Sequence, residues 1–356
     1  MERKRNALLL RIGGGLLLML IAFFMLWFNE GRVNLADVAR RSQPVNAGTI
    51  RTHATEANGQ FVSLTGQLAA AARLGDDLYL RPGDYVRVER EVEMYAWKES
   101  EDSDEDGTSY SYELTWTNRV LAPEQFHKPE GHENPPLPFS ERTLLVRQAA
   151  IGAYAIDPAQ IELPRGERLP LSSEVIMESP DPIVEDYVFL GEGTMSKPEL
   201  GDVRVSYFVV PANVQATAFG RLEGETLQPY YHNDKVSLYR VLVGDRVAAL
   251  AQLQFEYRAA LWGMRFGGFM LMWGGVALLL SPLNLLLGWL PGLRRWGRWL
   301  TGLVAGVVAG ILSLITILIG YLAHNLLALI IVLLLLAAGF YLWQRRSQAE
   351  VGANLR

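Results

Sequence analysis

The chain has 356 residues and no cysteine; half of its residues are hydrophobic, and its formal charge is −5. The missing cysteine excludes disulfides, thiolate metal sites and thiol nucleophiles. Of 33 basic and 38 acidic side chains, residues 29–258 hold 22 and 36, a net of −14, and an acidic surface of that kind is a poor nucleic-acid binder.

The apolar residues concentrate in four stretches. Leu8 to Phe28 follows Glu2, Arg3, Lys4 and Arg5 and is interrupted only by Arg11. It is longer than a signal-peptide core, and Asn29-Glu30-Gly31-Arg32 offers no small-x-small cleavage site, so it reads as an uncleaved anchor. Leu261 to Leu280 contains one charge, Arg265, while Thr301 to Gly320 and Leu326 to Trp343 contain none. Each reaches or nearly reaches the roughly 20 residues that cross a bilayer. Arg11 and Arg265 lie near span ends, where a long side chain snorkels to the interface.

Basic residues flank the spans at Arg3 to Arg5, at Arg294, Arg295 and Arg298, and at Arg345 and Arg346. If all four spans cross, these fall on one side, which puts both termini in the cytoplasm and residues 29–258 outside it. The predicted fold is therefore a multi-span α-helical membrane protein, one span plus three. A β-rich α+β exoplasmic domain with antiparallel strands is inserted between helices 1 and 2. The segments are 1–28, 29–258, 259–343 and a cytoplasmic tail, 344–356. No Asn-x-Ser/Thr sequon occurs, which points to a bacterial inner membrane with a periplasmic domain; a eukaryotic chain would place that domain in a lumen.

Inside the domain, Asn29 to Asn58 reads as a stalk or irregular layer and Phe61 to Leu68 as a short strand. Tyr85 to Trp97 alternates Val86, Val88, Val92, Met94 and Ala96 with polar partners, and only Arg90 breaks the apolar face. With Tyr110 to Trp116 it forms a long hairpin. Between the arms, Asp102, Asp104, Asp106 and Glu113 with Gly107 have the spacing of a calcium loop, but strand-like flanks favour a solvated acidic tip.

Prolines at 123, 129, 135, 136 and 138 make Ala122 to Ser140 the longest loop, and His127 and His132 would form a metal site only if it folded around them. Asp157 to Leu163 is one helical turn or two. Strands are expected at Thr143 to Tyr154, Tyr187 to Leu190, Val203 to Val210, Val214 to Phe219 and Val236 to Val243. Asp245 reads as the N-cap of a helix running without a breaker into the second span. Gly83-Asp84-Tyr85-Val86-Arg87-Val88 and Gly201-Asp202-Val203-Arg204-Val205 look alike by chance.

Beyond the second span, residues 282–300 hold Trp289, Arg294, Arg295, Trp296, Arg298 and Trp299, an interfacial element whose rings and arginines would contact lipid headgroups. Gly302, Gly306 and Gly310 form a small-residue face for helix packing, against the fourth span or another subunit. No nucleotide, hydrolase or dinucleotide motif is present, and no catalytic residue or cofactor is expected.

Six segments carry a resemblance: Asn29-Glu30-Gly31-Arg32, Val92 to Trp97, Tyr110-Ser-Tyr112 with Trp116, Gly131-His132-Glu133-Asn134-Pro135, Gly201 to Ser206, and the order of spans. In these the chain resembles the LUMA family, also called transmembrane protein 43, and reads as a bacterial member. The resemblance implies cytoplasmic or nucleoplasmic termini, a large luminal or periplasmic domain, and a non-enzymatic protein that self-associates and organises other membrane proteins. Its animal members are associated with the endoplasmic reticulum and inner nuclear membrane, and the family offers no catalytic residues to transfer. The bilayer, a second copy and other membrane proteins are the expected partners, and nucleic acid is not one. The other readings are a channel or transporter component using Thr316, Asn284 or His324, and a calcium-responsive envelope sensor.

Overall fold

The computed structural model describes residues 2–48, 57–104, 107–233, 236–287, 297–327, 329–335 and 337–339. For 2–7, 104, 283–287 and 297–298 it describes the backbone only. Two compact units divide at Leu35 and Leu253. The helices are α1 (Glu2–Glu30), α2 (Leu35–Arg40), α3 (Arg246–Leu287) and α4 (Gly297–His324).

Three helices, within α1, α3 and α4, are long and apolar enough to cross a membrane. The four-span expectation is not matched among the described residues. Leu329–Gly339 is apolar and helical but short of spanning length, and residues 340–343 lie outside the description. From Trp299 to Tyr321, α4 rises about 33 Å, one hydrocarbon thickness.

The expected junction at Asp245 is present: its carboxylate accepts the Ala248 N–H at 2.8 Å, and α3 continues for 42 residues. That helix runs through Pro282 to Leu287, and α4 already begins at Gly297. The expected loop over 282–300 is thus helical at both ends. Trp289, Arg294, Arg295 and Trp296 lie outside the described residues, as does the Arg298 side chain; Trp299 is exposed in the first turn of α4.

The second unit holds two seven-stranded sheets and a separate two-stranded one. The first contains β1 (Gln43–Asn46), β2 (Phe61–Ala70), β6 (Ala149–Ile151), β7 (Tyr154–Ile156), β12 (Gln215–Glu223), β13 (Thr226–Gln228) and β16 (Arg240–Val243). Its path β2-β6-β7-β13-β12 closes on itself through the β2–β12 ladder, around Leu64, Leu68, Ile151, Leu222 and Leu227. Two ladders, β1–β2 and β7–β13, are parallel, which the all-antiparallel expectation missed. The stalk expectation over 29–58 is also revised, since α2 and β1 are regular; α2 packs with Phe219, Leu242 and Leu253.

The second sheet runs β4-β3-β11-β10-β9, from β3 (Tyr85–Asp104), β4 (Gly107–Thr117), β9 (Ile183–Val184), β10 (Tyr187–Leu190) and β11 (Val203–Pro211). β5 (Arg142–Leu145) pairs with β3 and β8 (Glu167–Arg168) with β11. The single strand expected over Thr143 to Tyr154 is three strands, because the chain leaves β3 in one sheet after Leu145 and joins β2 in the other at Ala149. Hydrophobic periodicity does not register such a change of sheet. Likewise Val236 to Val243 splits into β15 (Val236–Leu238), paired with β14 (Tyr230–His232), and β16. Asp157 starts a single turn, with Ile161 N–H on its carbonyl.

Candidate functional site

Four of the segments that carried the resemblance meet on the β3–β4 hairpin. The β11 ladder accompanies β3 only as far as Met94, where it pairs with Val203, and beyond that β3 and β4 hold each other from Tyr95↔Trp116 to Asp104↔Gly107. The hairpin therefore extends past the sheet as a two-stranded arm. At its root the Tyr95 N–H donates to Asp202 O and its carbonyl accepts from Gly201 N–H. Two residues on, a side chain replaces the strand: Asn134 Oδ1 accepts the Trp97 N–H at 2.8 Å, while its Nδ2 donates to Trp97 O at 3.0 Å and Leu121 O at 3.1 Å. A buried amide thus satisfies the edge that β11 leaves open.

Around that amide the proline-rich loop lies on the arm as a strap. His132 stacks on Tyr112 with ring centroids 3.8 Å apart and meets Trp97 edge-on at 4.8 Å, and His127 stacks on Tyr110 at 4.0 Å. Main-chain N–H groups of His127 and Lys128 donate to Glu99 and to the Tyr112 hydroxyl. Both histidines thus serve as rings, and among the described residues no group of three or more His, Asp or Glu is placed to hold a metal.

On the same face, nearer the body of the sheet, Arg204 is ion-paired with Glu93 at 2.7 Å and lies 4.5 Å from the ring centres of both Trp116 and Tyr187. Arg168 covers Tyr187 at 4.1 Å. The arrangement is a cation–π ladder that stiffens the arm's root. Asp202 is buried and accepts N–H groups from Glu192, Gly193 and Glu199, whereas Asp84 is exposed beside Arg73, so the two Gly-Asp signals do different jobs.

The calcium-loop residues do not converge. Asp102 pairs with Ser109, and Glu113 pairs with Lys98, four ladder positions away or about 13 Å. Asp104 lies opposite Gly107, its side chain is not described, and Asp106 falls outside the described residues. In this extended geometry the motif's first and last ligands cannot share one ion.

The remaining segment, Asn29 to Arg32, lies in the helical unit. Asn29 Nδ2 donates to Leu261 O at 3.1 Å, and Glu30 grips Arg265 through two bonds of 2.9 and 2.7 Å. A Cβ on Gly31 would strike the His324 ring, whose Nδ1 bonds Gly320 O. Arg265 is therefore paired rather than snorkelling, which corrects the sequence reading. The available signal was a charge of opposite sign at the same end of two spans.

Along the seam α1 and α3 come backbone to backbone at Gly15 and Gly275, where a Cβ on either residue would lie 2.8 Å from the other's carbonyl oxygen. This contact and the Asn29–Leu261 bond are 14 residues apart on each helix, two heptads, as an antiparallel pair in step requires. The expected glycine face behaves differently. Gly306 and Gly310 look onto Trp273 and Phe269 of α3 at 3.5 and 3.9 Å, and Gly302 O accepts the Trp273 indole N–H at 2.9 Å. Among the described residues their partner is α3. The buried face of α4 is offset from them, at Thr301, Ala305, Ala309, Ser313 and Thr316. Thr316 bonds Leu312 O, and the Asn284 side chain is not described.

Fold and site together define an integral membrane protein that carries a large β-rich domain between its first helix and its later ones. A family model described as Transmembrane protein 43 matches residues 94–326. Transmembrane protein 43 of Rattus norvegicus is 30% identical over 340 residues, covering 87% of this chain and 84% of the relative, and that of Homo sapiens is 30% identical over 341 with the same coverage. The Transmembrane protein 43 homolog of Drosophila melanogaster is 24% identical over 293 residues, 76% of this chain and 77% of the relative. The chain belongs to the transmembrane protein 43 family. No solved structure matches it.

Proposed function

We propose that the protein is a non-enzymatic membrane organiser that self-associates and gathers other membrane proteins, with the β domain as its recruiting platform on the exoplasmic side. The observation that carries this reading is the strapped arm. A hairpin held rigid by an amide clasp, two stacked imidazoles and a cation–π ladder is built to present a surface, and its polar groups are committed to that rigidity. A cleft of about 580 Å³ beside β1 and β2 is open, and its Arg246 is already bonded to Ser63 Oγ and to the carbonyls of Arg40 and Ser42.

The helical unit supports the same reading over that of a channel. Its charged pair is closed on itself, and the Thr316 hydroxyl and His324 Nδ1 bond to their own helix. Cytoplasmic placement of both termini requires a fourth crossing by Leu326 to Trp343, with the β domain in the periplasm of an inner membrane or, in a eukaryotic cell, in the lumen of the endoplasmic reticulum and nuclear envelope.

Crosslinking in native membranes followed by sizing and mass spectrometry of co-purifying proteins tests the proposal. Higher-order species and reproducible membrane-protein partners are expected. A strictly monomeric protein without partners would overturn it.

A further inference from the structure

We propose that the open edge of β4 binds a lysine- or arginine-rich extended segment of a partner protein by β-augmentation; the inference deepens the recruiting-platform reading and rests on it. The register fixes which groups are offered. Tyr95 directs its N–H and carbonyl to Asp202 and Gly201, so even-numbered residues of β3 face β4, and their partners in β4 are odd-numbered. The main-chain groups of Thr108, Tyr110, Tyr112, Leu114 and Trp116 therefore point outward, over about 30 Å of strand. β4 ends the sheet order, and among the described residues none of these five has a main-chain partner on that side.

Such an edge invites a strand, and its flanks decide which one. Residues 98–113 contain seven acidic side chains and one basic, a net of −6. Glu101 and Asp102 are exposed on opposite faces of the arm, because neighbours in a strand alternate. A docked strand thus meets negative charge on both of its faces, which favours consecutive lysines or arginines and opposes a second copy laid edge to edge with the same charge. The strap fixes the arm before any partner arrives, so docking orders little on this side.

The test uses the full chain in nanodiscs of zwitterionic lipid and a fluorescent ten-residue peptide in which Lys-Lys pairs alternate with Thr-Thr pairs, so that both faces of the docked strand carry lysine. Saturable binding is expected, weakening about tenfold between about 0.05 and 0.3 M salt. The same peptide methylated on every amide nitrogen should bind at least about tenfold more weakly, because main-chain hydrogen bonds supply the affinity. Glu101→Lys with Asp102→Lys should abolish binding, and Leu114→Pro, which removes one outward N–H at an edge that tolerates proline, should weaken it about fivefold with the circular dichroism unchanged.

Equal binding of the methylated peptide would reduce the site to a diffuse acidic patch and overturn the proposal. So would equal binding of a glutamate–threonine peptide, no binding of any peptide, or a concentration-dependent dimer lost in Leu114→Pro. Peptide binding is read on the purified chain alone, so this result is separate from the crosslinking result.

Discussion

Two arginines, one in each unit, interrupt apolar patterns in the sequence, and the structure resolves them in different ways. In the β domain Arg90 sits on the inner face of β3, and its Nη1 reaches both oxygens of Asp76 at 3.0 and 2.8 Å. Asp76 Oδ2 also accepts the Tyr207 hydroxyl at 2.7 Å, while Arg90 donates twice to Ser140 O. Burial, followed by the hydrogen bond to Asp76, pushes the Tyr207 phenol well above its ordinary range. In the helical unit Arg265 is ion-paired with Glu30 and lies 4.9 Å over the exposed Trp262 ring. One cation is enclosed in a satisfied network and the other is clasped at a boundary where water and headgroups remain in reach. A sequence pattern marks both as exceptions and does not distinguish them.

The largest effect is expected from breaking the enclosed network. Asp76→Ala strands the Arg90 charge among Val88, Val92 and Tyr207 and should cost about 3–5 kcal/mol, enough to threaten the whole domain. Replacing all three partners together, Arg90→Met with Asp76→Leu and Tyr207→Phe, should recover most of that loss, since an apolar set of similar volume leaves nothing unpaired. Denaturant unfolding followed by tryptophan fluorescence measures both. A loss under about 1 kcal/mol for the single change would mean that water already reaches Arg90.

At the helical pair the same chemistry should matter less. Glu30 is 3% exposed but Arg265 is 21% exposed, so after Glu30→Gln the guanidinium can turn to the interface. The expected cost is about 1–3 kcal/mol, read as a lower thermal stability in detergent. The exchanged pair, Glu30→Arg with Arg265→Glu, should restore part of it. No recovery would assign the effect to packing around Gly320 and His324 rather than to charge.

Glu91, where burial and two neighbouring carboxylates outweigh the opposing charge of Arg168, offers a finer test of how burial in the β domain acts on charge. Burial raises the Glu91 pKa, helped by Glu93 and Glu141. Because the folded value lies above the unfolded one, the proton favours the fold. That contribution is complete below the model-peptide value of 4.5 and is lost as pH rises through the raised folded value. Glu91→Gln should therefore be more stable than the parent chain at pH 7, by less than about 1 kcal/mol for a half-exposed side chain, with the advantage gone below about pH 4. An advantage independent of pH would place its cause outside titration.

The hairpin, the strand Tyr187 to Leu190 and the helix beginning at Asp245 were legible because each is fixed by local alternation or a local cap. The closed path of the first sheet was not, since it depends on pairings such as Thr65↔Thr217 that no short window contains. For the same reason the pairing of Glu30 with Arg265, 235 positions apart, showed in the sequence only as opposite charges at one end of two spans, and the spacing of His127 and His132 did not reveal that their work is stacking. The resemblance had marked Asn134 only as part of a motif; its role became visible once β11 was seen to end at Val203, opposite Met94.

The smallest expected effect concerns the glycines that were easiest to see. A methyl group added at Gly302 meets nothing within 4 Å, so Gly302→Ala should leave stability and oligomeric state unchanged within about 0.5 kcal/mol, apart from a slight gain in helix propensity. The same methyl at Gly275 would press on the Gly15 carbonyl 2.8 Å away and on Met19, which forces α1 and α3 apart. Thermal stability of the two variants in detergent separates the readings. If Gly302→Ala were the damaging change, another helix would have to occupy that face, and the glycine stripe would regain the interchain role that its contacts with Trp273 and Phe269 now give to α3.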